Sequence, residues 1–172
     1  MAKEKGNRKR CVQVKFRLTP EENAAFQKDV TASGLSKNDY IIKTLINRVG
    51  LSVLSCERKY CGNSLDIHFM LANQHIGYAS CLFFGNIKKV QVSSFYVIKP
   101  FQGIGVEEKL LQEILDYAEL NQAESVIAYP GSEPHCPTEW KPIDVQTQWY
   151  ESQGFSVDHL IYNSTPCMVK PL

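Results

Sequence analysis

Long apolar runs are missing from the sequence, and none approaches the ~18 residues of a membrane-spanning helix. Glycine and proline are also few, 10 and 8 among 172 residues, which excludes collagen and Pro/Gly-rich disordered chains. The basic opening MAKEKGNRKR lacks the apolar segment that a secretory leader carries behind it. A cytoplasmic protein with no membrane partner is therefore expected, and its 6 cysteines read as reduced thiols rather than a disulfide framework. Cys56 and Cys61, taken with the distant His135-Cys136, fit no zinc spacing, so no metal site is expected. No Gly-Lys-Ser/Thr phosphate loop is present, and no Ser-His-carboxylate order stands out.

What remains is an ordinary globular composition, 44% apolar and 22% charged, in a length that suits one domain or a small one joined to a medium one. The formal net charge of +1 conceals an asymmetry. Residues 1–17 hold seven cations against Glu4, a net of +6, whereas the other 155 residues hold 12 cations and 17 carboxylates, a net of −5. A polyanion partner is thus expected at the N-terminal end.

Behind the basic arm, Cys11 to Leu18 alternates with a period of two, which predicts a strand. Its dry face carries Val12, Val14, Phe16 and Leu18, and its wet face Gln13, Lys15 and Arg17. Thr19-Pro20-Glu21-Glu22 then combines a capping hydroxyl, a proline at the first helical position and a glutamate three residues after the cap. The helix that follows has Ala25, Phe26 and Val30 as its stripe and stops at Gly34. Ser36 caps a second helix with Tyr40, Ile41, Leu45, Ile46 and Val49 as apolar positions. One strand and two short helices bury too little in a single copy, so two copies are expected to pair through an antiparallel ribbon.

The segments VQVKFRLTPEE and GLSKNDYIIKTLI resemble the ribbon-helix-helix family of DNA-binding proteins over roughly residues 8 to 49. The resemblance implies a homodimer whose ribbon enters the major groove of duplex DNA with Gln13, Lys15 and Arg17. Arginine and lysine suit guanine acceptors there, and glutamine suits adenine. The start of the second helix, at Ser36, Lys37 and Asn38, would hold a phosphate.

Residues 51–61 show no clear period and read as a linker. Beyond it, strands are predicted near 65–72, 76–84 and 89–98, then a helix with Leu110, Leu111, Ile114, Leu115 and Ala118 on one face. A strand at 125–129, a Pro-rich loop at 130–142, a short helix near 144–153 and strands around 155–162 and 165–171 complete the chain. His68 and His75 are assigned to a strand and its turn, and Ser94 to the strand before the glycine loop. The stretch Val97 to Glu107 is strand, glycine loop, helix start, an arrangement that presents unpaired amides to a phosphate.

Here the chain resembles the GNAT superfamily of N-acetyltransferases over about residues 62 to 172. Gln102 and Gly105 match the first two fixed positions of its Arg/Gln-x-x-Gly-x-Gly/Ala motif, and Glu107 stands where the third has glycine or alanine. Tyr150-Glu151-Ser152-Gln153-Gly154-Phe155 resembles the family's Tyr-x-x-x-Gly-Phe, and Cys167 to Leu172 its closing strand. The resemblance implies acetyl-CoA as co-substrate and an amine acceptor. Its pantetheine would lie along the strand at Val97, its pyrophosphate on the amides of Gln102, Gly103, Ile104, Gly105 and Val106, and Tyr150 would protonate the thiolate. The family's helix pair between its first two strands is missing, since only about a dozen residues are available.

The expected fold class is therefore α/β (α+β): a small dimeric ribbon-helix-helix module at 1–50, a linker at 51–61, and at 62–172 a compact GNAT-like mixed sheet with helices on both faces. The expected function is an acetyl-CoA-dependent N-acetyltransferase carrying its own DNA-binding module. The alternative is a non-enzymatic DNA-binding repressor or plasmid mobilisation accessory protein with a degenerate acetyltransferase fold. Arg17→Ala in the full chain is expected to weaken a preferred DNA site by about 1–3 kcal/mol while changing non-specific binding less. Competition gel shifts with specific and random duplexes measure this, and an equal loss on both makes Arg17 a phosphate contact.

Overall fold

The computed structural model describes residues 17–71, 74–131, 142–161 and 165–172. Gln13 and Lys15 of the expected ribbon, together with His135 and Cys136, lie outside the described residues. The chain divides into two compact units, Met1–Tyr40 and Ile41–Leu172. Among the described residues no helix is long and apolar enough to cross a membrane.

In the first unit the local chemistry at Thr19 forms helix α1 (Pro20–Ser33). Thr19 Oγ1 accepts from the Glu22 amide at 3.3 Å, and Glu22 Oε2 accepts from the Thr19 amide at 2.8 Å. Two of the N–H groups that a helix start leaves unpaired are thereby satisfied. Gly34, at φ 67°, ends the helix in the left-handed conformation that glycine adopts without a Cβ penalty. Of the expected stripe, Val30 is buried, Phe26 is half-buried against the Tyr40 ring at 5.8 Å, and Ala25 is exposed. Helix α2 (Lys37–Val49) begins where Ser36 Oγ accepts from the Asp39 amide at 3.2 Å and donates to Asp39 Oδ2 at 2.7 Å. Ile46 is buried, while Ile41, Leu45 and Val49, spaced four apart, stay exposed.

The second unit is built on a seven-stranded sheet of order β1-β2-β3-β4-β5-β7-β6. Its strands are β1 (Ser55–Cys61), β2 (Ser64–Leu71), β3 (Gln74–Phe84), β4 (Lys89–Val97), β5 (Ser125–Ala128), β6 (Ser156–Ile161) and β7 (Thr165–Pro171). Among the described residues only β4 and β5 run parallel, joined through helix α3 (Val106–Leu120); α4 (Ile143–Ser152) lies between β5 and β6. The expected linker at 51–61 is structured: a 3-10 turn at Leu51–Val53 runs into β1. As an edge strand, β1 is exposed at every position except half-buried Cys56, so no inward face imposes a period of two on its sequence. It meets β2 through a tight turn at Gly62-Asn63, pairing Cys61 with Ser64.

Strand β2 shows the opposite pattern. Leu65, Ile67, Phe69 and Leu71 are buried and alternate with half-buried Ser64, Asp66, His68 and Met70. Helix α3 packs on β2, β3, β4 and β5 and buries Val106, Leu110, Leu111, Ile114, Tyr117 and Ala118. Burying one such leucine or isoleucine contributes about 1.5–3 kcal/mol. Polar ties fix the helix in register. Arg58 forks onto Glu113 with bonds of 2.6 and 2.7 Å, Tyr117 donates to the Asn63 carbonyl at 2.8 Å, and Lys109 donates to the Leu51 carbonyl at 3.2 Å.

Helix and sheet meet closely at Gly77 on β3. A Cβ there would lie 2.9 Å from Leu110 Cδ1 and 3.3 Å from the Tyr96 carbonyl oxygen. Gly77→Ala is therefore expected to lift the helix and destabilise the protein by about 1–3 kcal/mol, as overpacked cores do. Urea denaturation reads this directly. An unchanged midpoint means that Leu110 turns aside without cost.

Candidate functional site

Strands β4 and β5 pair only from Lys89 to Gln91 against Ser125 to Ile127, although β4 runs on to Val97. On its other side β4 carries a bulge: Cys81 pairs with Val92 and Ser80 with Ser94, leaving Ser93 as the extra residue. Val97 and Ser94 are buried. A 3-10 turn at Lys99–Phe101 leads into the glycine loop, and the Gln102 side-chain amide donates back to the Val97 carbonyl at 2.8 Å. Gly103 and Gly105 have φ of 72° and 92°, and Gly105 precedes α3 with no side-chain cap.

The expected anion cradle, Gln102 to Val106 at the start of α3, thus exists as a loop, but a group of the protein itself engages it. Glu107 is 1% exposed, and both of its carboxylate oxygens accept from the Gly103 amide, at 2.9 and 3.1 Å. A carboxylate belongs at a helix N-terminus for the same electrostatic reason that a phosphate does. The pyrophosphate of acetyl-CoA, the co-substrate that the sequence resemblance implies, would meet a loop in which one of the five expected amides, that of Gly103, already donates to a carboxylate.

Tyr150 is 1% exposed and walled by the rings of Trp149 at 5.0 Å, Phe155 at 5.0 Å and Phe95 at 6.2 Å. Its carbonyl accepts from the Phe155 amide at 3.1 Å, across Gly154 at φ 85°. The Tyr-x-x-x-Gly-Phe pattern therefore has a structural reading as a helix end folded onto its own aromatic. Among the expected DNA contacts, Arg17 lies two residues before the Thr19 cap, and Ser36 and exposed Lys37 open α2 with Asp39 in its first turn.

One cluster was not singled out from the sequence. His68 on β2 pairs with Tyr78 on β3, and Tyr78 with Tyr96 on β4, so three neighbouring strands bring their half-buried side chains together. His68 Nδ1 and His75 Nε2 face each other at 3.1 Å, and Tyr78 donates to Asp66 at 3.0 Å. The His68–Tyr78 and Tyr78–Tyr96 rings lie 4.9 and 5.7 Å apart. Burial, and secondarily the neighbouring His68, hold the His75 pKa below its ordinary 6.5; burial raises that of Tyr78. Only the strand register joins these residues, and the available sequence signal was the alternation of Asp66 and His68 with Leu65, Ile67 and Phe69.

Residues 8–55 match the NikA-like family, described as mobilization protein NikA. No curated protein matches the chain. Among solved structures, the PaiA N-acetyltransferase from Thermoplasma acidophilum in complex with coenzyme A is similar at a TM-score of 0.52 and 13% identity, over 90% of this chain and 80% of that one. A GNAT family acetyltransferase from Elizabethkingia anophelis with acetyl-CoA bound is similar at 0.53 and 11% identity, over 70% and 99%. Nourseothricin acetyltransferase is similar at 0.49 and 13% identity over 63% of this chain, which spans 64% of that protein's length. At these identities the likeness is one of fold: an N-terminal segment similar to the NikA-like family precedes a GNAT-type sheet.

The depressed His75 pKa has a thermodynamic consequence. The unfolded chain takes up the proton first, so the contribution of His75 to stability is present above its unfolded value of 6.5 and is lost as pH falls through the lower folded value. Urea midpoints between about pH 7.5 and pH 5 are expected to fall less steeply in His75→Gln than in the wild type. Superimposable profiles would assign the acid sensitivity to other groups.

Proposed function

We propose that this protein is a dimeric DNA-binding protein of the mobilisation-accessory type. In this reading its acetyltransferase-fold unit has a self-capped coenzyme cradle and serves in assembly rather than in acetyl transfer. Residues 8–38 meet duplex DNA in the cytoplasm, with Gln13, Lys15 and Arg17 at base edges and with Ser36 and Lys37 on a phosphate. The net charge of +6 over residues 1–17 supports the DNA reading. The exposed stripe of Ile41, Leu45 and Val49 on α2 supports pairing of two copies.

The observation that carries the self-capped reading is the Glu107 carboxylate on the Gly103 amide. Adding a pyrophosphate there requires either breaking both contacts or placing like charges side by side. A second reading, acetyl transfer from acetyl-CoA to an amine, is favoured by the bulge at Ser93 and the end of β4–β5 pairing after Gln91. It requires Glu107 to leave the loop and the buried Tyr150 hydroxyl to meet the departing thiolate.

Calorimetry on the full chain separates the two. The wild type is expected to give no binding heat with millimolar acetyl-CoA, whereas Glu107→Gly, which removes the anion and matches the motif, is expected to bind it. Micromolar binding by the wild type overturns the self-capped reading and establishes the second as the working one.

A further inference from the structure

The β6–β7 hairpin contains a register break. Val157 pairs with Met168 and His159 with Cys167, so Asp158 is an extra residue on β6. In an unbroken ladder Asp158 and His159 would point to opposite faces. A bulge sets two residues of one strand against one of the other and re-aims the extra side chain. Asp158, His159 and Cys167 accordingly converge: one carboxylate oxygen, one imidazole nitrogen and the thiol sulfur all lie within 4.8 Å of one another.

The cluster has a floor and a rim. Cys167 is 2% exposed. The side chains of Asp158 and His159 are 65% and 58% exposed, and Nδ1 and Oδ2 are 2.9 Å apart. Tyr129, which follows β5, hydrogen-bonds to the Cys167 side chain. An ion arriving from solvent meets the two exposed ligands first and the buried one last.

We propose that Asp158, His159 and Cys167 form a binding site for a zinc-class divalent cation that clamps β6 to β7, with water in the fourth position. One sulfur, one nitrogen and one oxygen donor suit zinc, whereas calcium and magnesium take oxygen ligands throughout. Metal–ligand lengths of about 2.0–2.3 Å place tetrahedral ligands roughly 3.3–3.6 Å apart. Rotation of the exposed Asp158 and His159 side chains opens their 2.9 Å pair slightly and brings both groups within ligand spacing of the sulfur, while buried Cys167 stays in place. On binding, the ligating imidazole nitrogen is the one without hydrogen, and the thiol gives its proton to solvent. The site shares no residue with the glycine loop and stands whether or not the protein binds coenzyme A.

The test uses the full chain under reducing conditions with Co²⁺ as spectroscopic probe and Zn²⁺ as competitor. One Co²⁺ per chain is expected to give a near-ultraviolet thiolate band and the visible bands of a four-coordinate ion. Zn²⁺ is expected to abolish both and to raise the melting temperature. Asp158→Asn and His159→Gln, both at exposed positions that leave the core intact, should weaken Zn²⁺ by at least about tenfold, a loss already seen when outer partners of metal ligands are removed. Cys167→Ser should lose the near-ultraviolet band. Persistence of that band in Cys167→Ser places the sulfur elsewhere, at Cys56 or Cys61 for example, and overturns the assignment. Wild-type Zn²⁺ affinity in Asp158→Asn and His159→Gln, or the absence of a four-coordinate cobalt spectrum, overturns it equally.

Discussion

Helix α3 can lie close against the sheet only because β3 carries no side chain at Gly77, and much of the second unit depends on that contact. With Leu110 at the crossing, Leu111, Ile114 and Ala118 fall onto the strands in turn, and Tyr117 reaches the β1–β2 turn through the Asn63 carbonyl. The same placement fixes where the helix begins. Gly105 must leave the loop in a left-handed conformation to start it, and a Cβ at Gly105 would lie 3.2 Å from Leu51 Cδ1. Once start and crossing are fixed, the first turn has no freedom to slide, and Glu107 is carried inward with Val106. A carboxylate held this far from water is costly unless donors surround it. The Gly103 amide and the helix N-terminus supply favourable partners, the latter worth about 0.3–1 kcal/mol at an exposed site and up to ~2 kcal/mol where partly buried.

The sequence made most of this legible where one face of an element is buried. The alternation of β2 and the stripe of α3 are imprints of a single apolar side, and the strand expected near 65–72 is observed at Ser64–Leu71. Capping chemistry was equally plain, since Thr19, Pro20 and Glu22 act on atoms within one turn of one another. Strand β1 was not legible, because an edge exposed on both faces carries no period. The role of Glu107 was half legible: the mismatch with glycine or alanine was visible in the motif, but whether the side chain turned outward or into the loop depends on the loop's own amides. The His68–His75–Tyr78 and Asp158–His159–Cys167 groupings were hidden for a common reason. Each arises from the registers of strands, and the second from a one-residue bulge, neither of which a linear pattern records.

The tight turn between β1 and β2 has a further effect on the sheet. Two residues, Gly62 and Asn63, stand where the acetyltransferases that the sequence resembles place a pair of helices, so one broad set of side chains on β2, β3 and β4 is left half-buried. Apolar residues at these positions would form an exposed patch. Beside half-buried Met70 and Leu82 the positions hold Asp66, His68, Tyr78, Ser80 and Tyr96, several of which cover one another through ring contacts and hydrogen bonds. The face also brings His68 Nδ1 and His75 Nε2 to 3.1 Å of each other.

A helix start that faces a phosphate cradle normally leaves its amides to the ligand, so the folded state gains stability in proportion to ligand bound. Here the anion is covalently part of the helix, two residues past its N-cap, and its effective concentration at the Gly103 amide is set by the chain rather than by solution. The loop is therefore ordered by an internal contact. An external anion must outcompete an intramolecular one and also leave the displaced carboxylate with new partners or a route to water. Occupation of the loop from within and recruitment of an external phosphate are thus alternatives at one amide, and the balance between them rests on a single side chain.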